Sequence, residues 1–207
     1  YGLTETTPVL TMNRPRAEWD ELTSNERAVR LNRAGGPVVG CTMAVDPSGE
    51  VLARGNMIME GYWAQPEATA DAIKDGYFHT GDGGSIDEFN YVTISDRKKD
   101  VIISGGENVS SIEVEDAIFQ HPDVTEVAVI GIPDEKWGEL VTALVVKSEG
   151  SQLTEDDVIA WTKQKLAGYK CPKRVEFRTE LARTATGKLQ KFKLREPFWA
   201  GQQRQVH

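Results

Sequence analysis

The sequence predicts a mixed α/β chain of two domains that meet near Lys98. Three observations carry this. Before residue 96, short β-type runs alternate with Gly, Asp and Asn turn residues. From 96 to 100 the charged knot Asp96-Arg97-Lys98-Lys99-Asp100 interrupts the apolar pattern, as connections between domains do. Beyond it, apolar strand-like runs alternate with capped helical segments, the pattern of α/β packing.

Taken in order, residues 50–54 read as a strand ended by Gly55. Pro66 suits the first turn of a short helix through Glu67, Ala70 and Ile73, because proline has no N–H to leave unpaired there. Ile86 and residues 91–94 predict two strands joined across 87–90 as a hairpin. Residues 101–103 form a short apolar strand stopped by Ser104-Gly105-Gly106. Ser110 and Glu113 then have the spacing of a capping box, with Val114, Ala117 and Ile118 on one helical face. Residues 127–132 and 141–146 are continuously apolar and predict buried strands. Thr154 and Asp157 cap a second helix with Val158, Ile159 and Trp161 inward and Gly168 near its end. Residues 175–177 are a short strand, and 189–198 end in a helix.

Composition sets bounds on function. The chain has 207 residues, of which 39% are apolar, enough for a buried core. A net charge of −8 disfavours a general nucleic-acid binder, which needs a basic surface. No apolar run reaches the roughly 18 residues of a membrane span, so a soluble protein is expected. Cys41 and Cys171 are far apart and outside any C-x-x-C pair; a disulfide is compatible, but free thiols in a reducing compartment fit better. His79, His121 and His207 are scattered, with no metal-ligand spacing. Residues 163–195 hold eleven basic residues against Glu176 and Glu180, a net of +9 inside an acidic chain. Such a segment is either a solvated face or an attractor of a polyanionic small molecule.

Four motifs occur in one order: Tyr1-Gly2-Leu3-Thr4-Glu5, then Gly76-Tyr77-Phe78-His79-Thr80-Gly81-Asp82, then residues 96–108 with Ser104-Gly105-Gly106-Glu107-Asn108, then Arg183-Thr184-Ala185-Thr186-Gly187-Lys188. Singly each is weak, since Thr-Glu is often a cap, Gly-Asp a turn and Lys188 one lysine among many. Together they resemble the adenylate-forming, AMP-binding superfamily, which includes acyl-CoA synthetases, luciferases and the adenylation domains of peptide synthetases. The resemblance covers essentially the whole chain. It implies that residues 1–97 are the end of a large domain with a β-barrel-like subdomain, and that 98–207 form a small, mobile α/β domain.

The resemblance also implies roles. Attack of a carboxylate on the α-phosphate of ATP brings two anions together, so cations and fixed contacts are required. Tyr1 would stack beside the adenine, Thr4 would bond the α-phosphate, and Glu5 would help hold Mg²⁺, a hard cation that takes oxygen ligands. Asp82 would accept from the ribose hydroxyls, with Arg97 on the other side of the sugar. Lys188 would reach the substrate carboxylate and the α-phosphate. In the second step coenzyme A attacks the acyl adenylate after the small domain rotates about Lys99, with Lys98 beside it. Gly105 and Gly106 would then let the thin pantetheine arm pass close to backbone. Trp137 and Tyr169 match positions where some relatives contact CoA, although burial in the small-domain core is an equal reading for Trp137. Cys171 stands where a related type carries a basic residue, which puts a charge contact there in doubt.

Residues 102–115 and 187–195, with Trp19-Asp20, are most similar to fatty-acyl-type synthetases, the branch with medium-chain acyl and 3-methylmercaptopropionyl-CoA ligases. A cytoplasmic enzyme acting on a small-molecule carboxylic acid, ATP and CoA is the expectation, and a homodimer is compatible with it. An enzyme loading a carrier protein and a non-catalytic nucleotide- or CoA-binding fragment remain open. Tyr1 to Glu5 reads as the interior of a longer chain, with the phosphate loop and most of the acid pocket expected upstream. The 207 residues alone are therefore not expected to be active. The link from Val45 to Val51 is also shorter than the family's usual one.

Overall fold

The computed structural model describes residues 1–185 and 187–201, so Thr186 of the fourth motif and His207 lie outside the described residues. The chain divides into two compact units, Tyr1–Lys98 and Lys99–His207. Both mix helices and sheets, as the pattern predicts.

In the first unit β1 (Thr11–Met12) pairs antiparallel with β2 (Gly36–Pro37). Helix α1 (Ser24–Leu31) lies between them in sequence and starts at a capping box of Thr23 and Glu26. The main sheet is antiparallel and five-stranded: β3 (Cys41–Val45), β4 (Glu50–Gly55), β5 (Ile73–Lys74), β6 (Tyr77–Ile86) and β7 (Val92–Arg97). Its path runs β3-β4-β6-β5, with β7 also on β6. Helix α2 (Pro66–Ala72) begins on its proline. The short β3–β4 link closes as a tight hairpin. Val45 pairs with Val51, and the Asp46 carboxylate accepts the N–H groups of Ser48 (2.8 Å) and Glu50 (2.9 Å). Asp87 does the same at the β6–β7 turn, accepting from Phe89 and Tyr91 at 2.9 Å. Leu10, Val51, Ala53, Phe78 and Val92 are buried here. Trp19 is buried against Tyr91, with the Arg33 guanidinium over both rings, which gives it a packing role.

In the second unit β8 (Ile102–Ser104) and β9 (Glu107–Val109) form a hairpin at one end of a sheet with β10 (Val124–Asp134), β11 (Gly138–Lys147) and β12 (Arg174–Phe177). β10, β11 and β8 pair antiparallel, and β12 runs parallel to β11. Residues alternate faces along a strand, so one sequence fills two cores. Val129, Val141, Ala143 and Val145 pack with Val114 and Ile118 of α3 (Ser111–Phe119) and Val158 of α4 (Glu155–Lys163). Ala128, Ile130, Ile132 and Leu144 pack on the other face with Leu194 and Phe198 of α5 (Lys191–Trp199). Each valine, leucine or isoleucine of these cores taken fully out of water contributes about 1.5–3 kcal/mol. α4 stops at Lys163 rather than near Gly168; its end tightens as the N–H groups of Gln164 and Lys165 turn to the carbonyls three residues back, Trp161 and Thr162. No described helix is long and apolar enough to cross a membrane, and both cysteines are free.

Candidate active site

The first motif is held by a 3₁₀ turn, Thr4–Thr6. Thr6 is fully buried; its hydroxyl accepts the Leu3 N–H at 2.9 Å and donates to the Leu3 carbonyl at 3.0 Å. That fixes the turn from below and leaves Thr4 exposed. Glu5 is half-buried; its carbonyl accepts the Met59 N–H (2.8 Å) and its Oε1 accepts the Tyr62 hydroxyl (3.1 Å). Burial and then this contact raise the Tyr62 phenol pKa, so it stays a donor. An anchored carboxylate is the right donor type for Mg²⁺, which takes one or two protein carboxylates beside phosphate oxygens.

Tyr1, Asp82 and Arg97 meet. The Tyr1 hydroxyl donates to Asp82 Oδ2 at 2.6 Å, and Arg97 Nε lies 3.5 Å from Asp82 Oδ1. Asp82 and Arg97 are direct cross-strand partners on β6 and β7. Asp82 is buried, and its N–H donates to the Thr80 hydroxyl at 3.2 Å. Burial and the Asp82 contact push the Tyr1 phenol well above its ordinary range, so it remains a neutral donor. A buried carboxylate flanked by a phenol and a guanidinium is held in one orientation.

Lys98 and Lys99 lie in the 3₁₀ turn Lys98–Asp100. Lys98 Nζ is 3.2 Å from Ser48 Oγ and 3.2 Å from Glu50 Oε2. Glu50 also accepts the Gly81 N–H at 2.9 Å and lies 3.1 Å from His79 Nδ1. Burial alone would raise its pKa, but these contacts from His79, Gly81 and Lys98 outweigh it and hold the carboxyl low. Asp46, Glu50 and His79 have the donor atoms of a small metal site, yet the Lys98 ammonium already supplies the counter-charge.

In the second unit, Gly105 is left-handed at φ +63 and its N–H donates to the Trp137 carbonyl at 2.8 Å. A Cβ there would stand 2.8 Å from the indole, so the loop lies flat on Trp137 only because residue 105 is glycine. Gly106 is also left-handed, at φ +85. Trp137 is half-buried and belongs to neither core; Lys173 and Lys136 sit over its ring at 4.8 and 5.0 Å. Tyr169 is exposed, beside Lys170, whose ammonium is tied to Glu113 at 2.6 Å. Cys171 is buried with its thiol toward the Ala167 carbonyl.

Lys188 is exposed on a tight loop. Its carbonyl accepts the Thr184 N–H (2.8 Å), its N–H donates to the Thr184 hydroxyl (3.0 Å), and Arg183 bonds the Gly187 carbonyl (2.8 Å). Sequence reasoning singled out neither Glu50 nor Tyr62. A lone Glu opening a strand and a Tyr in a loop carry no local signal, and only the sheet register brings Glu50 to Gly81 and Lys98.

The family model described as "AMP-binding enzyme C-terminal domain" matches residues 113–188. The chain is similar to 4-hydroxybutyrate–CoA ligase 2 of Metallosphaera sedula, 45% identical over 94% of this chain and 38% of the relative. It is also similar to feruloyl-CoA synthase of an Amycolatopsis species, 41% identical over 96% of this chain and 40% of the relative. Among solved structures it resembles o-succinylbenzoate CoA synthetase of Bacillus subtilis in complex with its acyl-adenylate intermediate, with a TM-score of 0.81 at 30% identity over 94% of this chain and 40% of that one. The chain thus spans about two-fifths of the length of these relatives. With the motif order, these matches assign it: the chain belongs to the adenylate-forming, AMP-binding superfamily, and its residues 113–188 are that superfamily's C-terminal domain.

Proposed function

We propose that the complete protein is an ATP-dependent, AMP-forming acid–CoA ligase acting on a small carboxylic acid of the short- to medium-chain class, 3-methylmercaptopropionate included. The observation that carries this reading is the meeting of Tyr1, Asp82 and Arg97, residues up to 96 positions apart, around one buried carboxylate. Relatives named as CoA ligases for 4-hydroxybutyrate and ferulate support the reaction class.

In the first half-reaction an acid oxygen attacks the α-phosphorus of ATP and pyrophosphate leaves. Asp82 accepts from the ribose with Arg97 beside it, and Tyr1 packs by the adenine. Thr4 donates to the α-phosphate, and Lys188 offsets the charge that builds as two anions approach. Glu5 would hold Mg²⁺, which when bound neutralises phosphate charge. In the second half-reaction the CoA sulfur, having lost its proton, attacks the acyl carbon and AMP leaves. The Gly105–Gly106 loop, Trp137 and Tyr169 line the approach of CoA, with Lys98 and Lys99 as the hinge between the two steps. The substrates are then all small molecules, and the free Cys41 and Cys171 fit a reducing cytoplasm.

The test is mass-detected CoA-thioester formation by the complete protein across short, medium, long and aromatic acids, with ATP–pyrophosphate exchange alongside. Exchange and thioester with short or medium acids are expected. Exchange without any thioester would favour carrier-protein loading, and neither would leave a binding module.

A further inference from the structure

Glu50 is a buried carboxylate that none of the assigned roles uses, and its bonds lead to both sides of the Asp82–Arg97 pair. It opens β4, only 7% exposed, with its N–H on the Asp46 carboxylate. Its Oε1 accepts the N–H of Gly81, the residue immediately before Asp82. Its Oε2 takes the ammonium of Lys98, the residue immediately after Arg97, and faces His79 Nδ1.

The local backbone explains why a side chain is needed here. The β4–β6 ladder is irregular between Glu50 and Leu52, and β6–β7 is irregular between Gly83 and Gly84. Gly81 falls inside the first of these, between the His79 and Gly83 pairings, and is left-handed at φ +73, so it cannot continue a regular ladder. The Glu50 carboxylate takes the N–H that the distorted ladder leaves. A peptide held at Gly81 fixes the direction in which the next side chain, Asp82, departs from β6. Lys98 pinned to the same carboxylate fixes the end of β7 just after Arg97. One anion thus sets the spacing of two strands at the point where the pair sits.

The geometry points to Glu50 as a positioning residue for the nucleotide ribose, holding Asp82 and Arg97 in register through Gly81 and Lys98. This rests on the reading of Asp82 and Arg97 as ribose contacts. The competing role is fold stability alone, which would leave ribose preference unchanged.

The test compares ATP with 2′-deoxy- and 3′-deoxy-ATP in pyrophosphate exchange by the complete protein. Glu50→Gln keeps the shape but loses the charge that holds Lys98 and weakens the bond to Gly81. It is expected to raise KM for ATP about tenfold, the scale of one charge-assisted hydrogen bond. The preference for ATP over the deoxy analogues should fall by a similar factor, while KM for the acid stays within about twofold. Glu50→Asp, read the same way, should lie between the two and serves if the glutamine variant does not fold. A variant that melts earlier yet keeps its ATP KM and ribose preference would overturn the proposal. Asp82→Asn is the control: if it too keeps the ribose preference, the underlying reading of the pair fails; if it loses the preference and the Glu50 variants do not, only the role of Glu50 fails.

Discussion

Lys188 sits on a loop whose backbone is tied down at Thr184, Gly187 and Arg183, while its side chain is exposed. A fixed base under a long cation suits a group that must reach a reacting phosphate without reorganising. Lys188→Ala in the complete protein is expected to lower adenylation by about 10²-fold or more, the scale of a lost transition-state charge contact. Thioester formation from preformed acyl adenylate should be largely spared; single-turnover assays of the two halves check both. Glu50 lends itself to a pH test. Its folded pKa lies below the ordinary 4.5, so its contribution to stability is full above that value and is lost as pH falls through the lowered one. Glu50→Gln should therefore show a shallower loss of thermal midpoint below about pH 4.5 than the parent, other lowered carboxylates such as Asp46 and Asp87 remaining. The loop that carries Lys188 was legible as a motif because its residues are local, Arg183 to Lys188 with a glycine between, and it was the order of the four motifs that singled this lysine out. Glu50 was not, since its partners are 29 to 48 positions away and meet it only through strand register.

At the scale of elements, the readable parts were those whose cause is local. The Thr154 and Asp157 box appears as drawn, and the 127–132 and 141–146 runs lie within β10 and β11. β6 was the harder case. Gly81, Gly83 and Gly84 depress strand propensity, and Gly81-Asp82 looks like a turn. Yet the strand runs from Tyr77 to Ile86, because β4 on one side and β7 on the other supply pairing that propensity does not. The glycines also have a steric role: a Cβ at Gly84 would lie 2.5 Å from the Thr93 carbonyl oxygen. α3 offers a direct check on capping. Ser110 accepts the Glu113 N–H at the start of a helix whose Val114 and Ile118 are fully buried. Ser110→Ala is expected to cost about 1 kcal/mol. Hydrogen exchange of the α3 and β10 amides should report that loss, and an unchanged rate would mean that the cap contributes nothing.

At the scale of the whole molecule, the connection between the two units is gripped from both ends. Lys98 is held by Ser48 and Glu50 in the first unit. In the second, the Lys99 carbonyl and the Asp100 carboxylate are both bonded by Arg195 Nη1, at 3.2 and 2.7 Å. If the units change orientation between half-reactions, the torsions at Lys98 and Lys99 are the ones left to turn. Lys99→Pro fixes φ at that step and is expected to impair thioester formation more than adenylation. Equal loss in the two half-reactions would remove the hinge reading. Ion pairs also occupy much of the basic segment 163–195. Lys170, Arg174, Arg178, Arg183, Lys191 and Arg195 each have an acidic partner within their own unit. Four of the eleven cations thus bind one segment of the second unit to another, Lys170 to α3, Arg183 beside the Lys188 loop to β10, and Lys191 and Arg195 of α5 to α3 and Asp100, while Arg174 and Arg178 share Glu176 on β12 itself. Far fewer mobile counterions are then displaced when a polyphosphate arrives than the bare sequence suggests. Added salt should weaken nucleotide and CoA capture only gently, while loosening the docking of these segments instead.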